Sequence, residues 1–270
     1  MNARMPILIA FLVIVLGLMP EALVRFNEGP KAFETNVERR LESPSASQPF
    51  GTDSLGRNHF SRTLLATGLS LKVAGRAFVV AFTLAVLLGS IAGLYKDRWP
   101  DHFLSYVISL IHTVPFILLA VALAAVFRAD LNVIYLIVGG IAWAPPARIV
   151  RAQVARMSEA RYVVAQKAYG MSSIAIFWRS ILPAVALPPF ISLLYLLPEL
   201  VGLDVGLSYF GLGAQPPTPT LGRLIFDGLT HLRSAWWISM LPALVLVAFF
   251  LLLYMVMQRT IKPSEKGLNL

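Results

Sequence analysis

Residues 50–58 read FGTDSLGRN, with Gly51 and Gly56 five positions apart and a basic residue, Arg57, after the second. That is the glycine spacing of a loop that cradles nucleotide phosphates. Such a loop also needs a Lys to reach the β- and γ-phosphates and a Ser or Thr hydroxyl for Mg²⁺. Arg57 and Asn58 occupy those places. A phosphate loop follows a buried strand and opens a helix, whereas Ser47–Pro49 lead in here from polar sequence. The stretch therefore reads as a turn capped by Asp53. An amphipathic helix follows, with Phe60, Leu64, Leu65 and Leu69 at helical spacing. The other chemistry-bearing groups stand apart from one another: His112 near Pro115, then Glu199, then Asp204. No His/Asp/Glu group has metal-ligand spacing, and no Ser/His/Asp set can be assembled. The chain has no cysteine, so a disulfide framework and a thiolate metal site are both excluded.

These residues must be positioned by apolar elements. The chain is 57% hydrophobic and 14% charged, which excludes disorder and is too apolar for an ordinary soluble domain. The net charge of +9 accompanies long apolar runs rather than aromatic-interleaved basic stripes, so it points to membrane topology and away from nucleic acid. Six segments approach the 20 or so apolar residues that span a bilayer. They are Pro6–Val24, Ala77–Tyr95, Phe103–Phe127, Leu131–Ala147, Ile181–Leu200 and Ile238–Met257. Pro145 and Pro146 end the fourth early. The first follows MNAR as a signal peptide would, but no small-x-small cleavage site comes after it, so a retained span is expected. With the N-terminus inside, residues 1–4, 95–101, 148–180 and 259–270 face the cytoplasm. Their Lys and Arg are about twice as dense as those of 25–76, 128–132 and 199–238. Both termini are thus expected in the cytoplasm.

The expected organisation is a first span over 1–24, an outside loop with an amphipathic helix over 25–73, and a five-span core over 74–260. The core includes a cytoplasmic insertion at 158–180 and an outside loop at 202–237, and a tail covers 261–270. Gly89 and Gly93 form a G-x-x-x-G pattern, and Gly139–Gly140 leave a smooth face, both suited to close helix packing. Neither paired intramembrane charges nor broken helices in repeated halves are visible. In the insertion, Ser158 is placed to cap a helix, with Glu159 and Ala160 in its first turn. Gly170 is placed to end that helix, and Ser172 or Ser173 to cap a second one running into Ile181-Leu182-Pro183. A solvated amphipathic hairpin and a knob that docks in another protein's groove are both consistent with this pattern.

Three stretches together resemble one family. AQKAYG, followed by ILP, resembles the "EAA" coupling loop of ATP-binding cassette (ABC) importer permeases. FGTDSLGRNHFSR resembles the GTD-x-LGRD-x-x-SR element of their dipeptide/oligopeptide/nickel branch, through Gly51, Asp53, Gly56 and Arg57. LSYFGLGAQPPTPTLG resembles that branch's outside loop, through Leu207, Ser208, Gly211, Gly213, Pro216, Pro217 and Gly222. The likeness covers most of the chain from residue 50 and is nearest the "C-type" permease of such pairs. There are departures. The Glu that names the coupling loop falls at Val164 and its second Ala at Gln166, while Ala165, Ala168 and Gly170 are kept. The Asp of LGRD is Asn58, an acidic residue common before Pro115 is Ser109, and the N-terminal tail is short.

The resemblance implies an all-α polytopic membrane protein with the type I ABC importer permease fold and six spans, in the bacterial inner (cytoplasmic) membrane. Its partners would be a second homologous permease subunit, two ABC ATPase subunits and an extracytoplasmic solute-binding protein. ATP and Mg²⁺ would bind the ATPases, and this chain would hold no cofactor and catalyse nothing. The coupling loop would comprise Glu159, Tyr162, Val164, Ala165, Gln166, Ala168, Gly170, Met171, Ser172, Ile181 and Pro183. His112, Pro115, Glu199 and Asp204 are candidates for the path or outside gate. His112 reads equally as a helix–helix hydrogen-bonding group, and Glu199 and Asp204 are expected at the membrane interface. Peptides are the first expectation for cargo, and nickel or a metal–metallophore complex the second. A stand-alone ion-coupled carrier and a membrane-embedded hydrolase are the alternatives of other classes.

Overall fold

A computed structural model describes residues 19–27, 30–127 and 131–261. The first expected span, Pro6–Val24, lies mostly outside them, as do residues 1–4 and 262–270. The described elements are helical: α1 (Met19–Asn27), α2 (Pro30–Phe33), α3 (His59–Leu94), α4 (Trp99–Thr113), α5 (Phe116–Phe127), α6 (Leu131–Ala142), α7 (Ala144–Ser158), α8 (Arg161–Ala168), α9 (Ser173–Ile176), α10 (Leu182–Val185), α11 (Leu187–Tyr209), α12 (Leu221–Leu229) and α13 (Trp237–Ile261). A π-helical turn, Phe177–Ile181, joins α9 to α10. Among the described residues there is no strand, only an isolated bridge between Thr52 and Asn58. The elements divide into two compact units, residues 1–75, 124–134 and 201–270, and residues 76–123 and 135–200.

Five of the six expected spans have counterparts among the described residues, and four of them differ from expectation. Among the described residues, three helices are long and apolar enough to cross a bilayer: α3, α11 and α13 over Trp237–Met255. In α3 the expected amphipathic helix and second span are one 36-residue rod. At 1.5 Å per residue it is about 54 Å long, well beyond a hydrocarbon core of about 30 Å. The third span is not continuous, because α4 and α5 meet at 95°. Pro115 lacks an N–H and restricts the residue before it, and Val114 duly sits extended at φ −95°, ψ 129°. In the fourth, Val133–Ala142 and α7 are bent by 43°. Pro145 and Pro146 open the new helix there, at positions whose N–H groups would be orphans in any case. The fifth span is displaced: Leu187–Tyr209 replaces Ile181–Leu200. The shift follows from Pro183, Pro188 and Pro189, which leave Ser173–Val185 as a separate short apolar helix.

In the second unit, small residues set helix spacing. A Cβ at Gly89 would meet the Ala147 carbonyl at 2.6 Å, and one at Gly93 the Arg151 carbonyl at 2.7 Å, so the G-x-x-x-G face seats α7 on α3. Gly139 approaches the Ala77 carbonyl in the same way (2.7 Å), but Gly140 faces open space, so only one of that pair serves packing. Val150, Val154, Val163, Ile176, Ile181 and Val185 form the buried core beneath the insertion.

Candidate functional site

The insertion folds as a bent elbow. Ser158 does not cap α8 as expected; it is the last residue of α7, and its hydroxyl donates to the Val154 carbonyl (2.8 Å). The reason is burial: Val150 and Val154 hold α7 in the core to its final turn. Glu159 is the C-cap of α7 rather than part of a first turn, and its carboxylate pairs with Lys96 at 3.0 Å. That pairing raises the Lys96 pKa, chiefly through the hydrogen bond. Ala160 precedes α8 with no side-chain cap.

Gly170 ends α8 as expected, at φ +82°. Its N–H reaches the Lys167 carbonyl (3.0 Å) and the Met171 N–H reaches that of Gln166 (3.1 Å), which is the Schellman pairing. Ser172 then caps α9, its hydroxyl accepting from the Ala175 N–H at 3.3 Å. The two arms are tied by a hydrogen bond from Ser180 Oγ to Gln166 Oε1 (2.9 Å). One side of the elbow is sealed: Val163 and Ile181 are buried and Met171 packs against them. The other side presents Tyr162 (45% exposed), Val164 (54%), Tyr169 (89%) and Ile174 (73%). Ala165, Ala168, Gly170 and Pro183 are exposed on the same loop. The two arms therefore hold out a crown of large apolar side chains, interspersed with exposed Arg161, Lys167 and Arg179, on a locked frame. The base is braced by a bidentate pair the sequence did not reveal, since Arg151 Nη2 donates to Asp101 Oδ2 at 2.8 Å and Arg151 Nε to Asp101 Oδ1. Residues fifty positions apart on different helices leave no periodic signature.

A second feature lies at the breaks in the spans. A cleft of about 320 Å³ is lined by Ile111, His112, Val114, Pro115, Pro145 and Glu199, among others. Three of the four expected path residues, His112, Pro115 and Glu199, thus share one cavity. The prolines inside apolar runs were the available signal for it. Asp204 is not among its lining residues. It lies within α11 rather than at the start of an outside loop, and it is 1% exposed rather than interfacial. No proline follows Pro198 in α11, and Gly202 and Gly206 do not interrupt it, so the helix continues to Tyr209 and carries Asp204 into the interior. Asp204 Oδ1 and Ser208 Oγ, one helical turn apart, are buried without a hydrogen-bond partner among the described residues.

The glycine turn at residues 51–58 is occupied by its own bonds. The N–H groups of Gly51, Thr52, Asp53 and Gly56 donate to the Gln48, Glu42, Arg57 and Asp53 carbonyls. Those of Leu55 and Arg57 donate to Asp53 Oδ1 (2.9 and 3.0 Å). These six amides are turned onto the chain itself, so they do not form an open cradle for phosphate. Asp53 also holds the Arg57 side chain at 2.7 Å, and Trp237 Nε1 donates to the Thr52 carbonyl (3.4 Å). The stretch is an anchor for its unit. The Leu207–Gly222 stretch is built likewise. Gly211, at φ +77°, ends α11 by bonding to Ser208, while Leu212 N–H bonds to Leu207. Gly213 and Gly222 lie against Ser208, and the Pro216–Pro217 bond is cis.

Comparison with known proteins identifies this arrangement. Residues 85–266 match the family described as "Binding-protein-dependent transport system inner membrane component". The dipeptide transport system permease protein DppC of Alkalihalophilus pseudofirmus is 33% identical over 209 residues, covering 77% of this chain and 68% of that one. DppC of Bacillus subtilis is 31% identical over 240 residues, covering 88% and 72%. The oligopeptide transport system permease protein OppC of the same organism is 27% identical over 241 residues, covering 89% and 77%. A solved structure of the MetNI methionine ABC transporter in inward-facing conformations superposes with a TM-score of 0.55 at 18% identity. It covers 71% of this chain and 90% of that one, and so shows the type I permease fold. With its several apolar spans, the chain is a multi-pass membrane protein. It belongs to the binding-protein-dependent inner membrane component family, as an ABC importer permease of the peptide branch.

Proposed function

We propose that this chain is one of two dissimilar permease subunits of a peptide importer, and that the elbow at 158–180 is where two ATPase subunits move it. The observation that carries this reading is the open crown of Tyr162, Val164, Tyr169 and Ile174 on a frame locked by Gly170, Ser172 and Gln166. Large apolar side chains held out on a rigid two-arm frame are what a partner's groove can grip. Closure of the ATPases on ATP and Mg²⁺ would push the elbow and switch the spans between inward- and outward-facing states. A solute-binding protein would deliver peptide on the opposite face, near the Gly51–Arg57 and Leu207–Gly222 stretches. Basic-residue density supports both termini and the elbow in the cytoplasm of a bacterial inner membrane.

The chain's lack of cysteine provides the test. Tyr169→Cys should be modified by an impermeant thiol reagent in inverted membrane vesicles and spared in intact spheroplasts. It should also cross-link to a co-purifying ATPase. Modification from the outer face, or an isolated chain that hydrolyses ATP, would refute the proposal.

A further inference from the structure

We propose that the cleft at the two span breaks recognises the free α-ammonium group of a peptide in transit, with the Glu199 carboxylate as its counter-ion. This rests on the peptide-importer reading and adds a site to it. Irregular backbone from two spans converges on this cleft. The Val114–Pro115 break and the Ala142–Pro145 break line the same cavity. At membrane depth, non-helical backbone persists only where protein buries it or where it borders a water-filled space. Two breaks from separate spans meeting at one cleft of about 320 Å³ mark such a space.

The cleft also carries an unpaired charge. Glu199 lies on the spanning helix α11, is exposed, and takes no hydrogen bond or ion pair among the described residues. It sits twelve residues into that 23-residue helix rather than at the expected interface, and a carboxylate there is expensive unless something supplies the opposite charge. The helix ends around the cleft largely offset one another, since α5 and α7 begin there as α4 and α6 end, which leaves Glu199 as its dominant charge. At the α4 end the break also frees backbone acceptors. Pro115 has no N–H, so the Ile111 carbonyl, four residues earlier, lacks its helical donor. The Leu110 carbonyl already accepts from Thr113 Oγ1 (2.7 Å). Half-helix ends of this kind hold cations in other broken-span proteins.

Ile111, Phe116, Ile141 and Leu196 are apolar and carry no directional groups. Such walls accept varied side chains with little preference, while the charged group addresses the part every unmodified peptide shares. The expected result is recognition of a free amino terminus whatever the sequence behind it.

Leu196→Cys places a single thiol in this cysteine-free lining. In the reconstituted importer without binding protein, a cationic methanethiosulfonate should modify it at least roughly tenfold faster than an anionic one, as local potentials of this kind allow. Millimolar dialanine should slow the modification, and N-acetyl-dialanine should not. Adding Glu199→Gln should make the two reagent rates converge and remove the protection, whereas Glu199→Asp should keep both. Dialanine uptake by the complete importer is read separately: no uptake refutes the peptide reading itself. Uptake together with equal reagent rates, or with protection by both peptides or by neither, overturns the ammonium site. A thiol that neither reagent reaches also overturns it, because the cleft would not be open to water.

Discussion

Gly170 isolates backbone conformation from packing better than any other position in the elbow. Its φ of +82° is left-handed, and a Cβ built there meets nothing within 4 Å. Gly170→Ala therefore acts through strain alone, of about 1–2 kcal/mol. A shift of that size changes a local equilibrium roughly five- to thirtyfold. Gly170→Asn should cost less, because Asn tolerates the left-handed region better than other residues with a Cβ. Gly170→Pro cannot reach positive φ and also deletes the N–H that bonds Lys167 at 3.0 Å, so it removes the turn outright. Hydrogen exchange of the Met171 and Ala175 amides, bonded to Gln166 and Ser172, reads the loosening directly. Transport and transport-coupled ATP hydrolysis in the reconstituted complex read its consequence. The expected order is Gly, Asn, Ala, Pro, with exchange rising and coupling falling along it, and with Pro losing transport while the chain still inserts. Normal transport by Gly170→Pro, or Ala exchanging as slowly as Gly, would refute the reasoning.

Two predictions concern the frame behind the elbow. Arg151→Ala strands the Asp101 carboxylate, whose side chain is 1% exposed, with only the Asp97 amide and Ser105 hydroxyl as donors. Because Arg151 itself is 36% exposed, the loss should be about 1–3 kcal/mol, below that of a fully buried pair, read as thermal stability in detergent. Gly89→Val should lower that stability sharply, since its Cβ falls 2.6 Å from the Ala147 backbone carbonyl. Gly140→Ala, with nothing within 4 Å, should leave it unchanged or slightly raised. Equal behaviour of the two glycine variants would remove the packing argument.

Membrane class and the turn chemistry were both legible in the linear chain, because each depends on neighbours in sequence. Long apolar runs announce spans wherever they end up, and Gly170, Ser172 and Asp53 act on groups two to five residues away. Gly51 and Gly56 could likewise be separated from a nucleotide loop by the residues beside them. Span continuity was less legible. Pro115 and Pro145–Pro146 were visible, but whether a proline ends, kinks or restarts a helix depends on what receives the freed carbonyls.

Tertiary structure alone decided the rest. Ser158 has the composition of a cap, yet burial of Val150 and Val154 keeps it inside α7. Asp204 reads as an interfacial residue, yet α11 carries it into the interior. His112, Pro115 and Glu199 lie up to 87 positions apart in sequence, and only the bend between α4 and α5 makes them walls of one cleft. Sequence pattern determines which segments leave water and where the chain can turn, since those are local transfer and dihedral energies. Which polar groups then face one another depends on packing between distant helices.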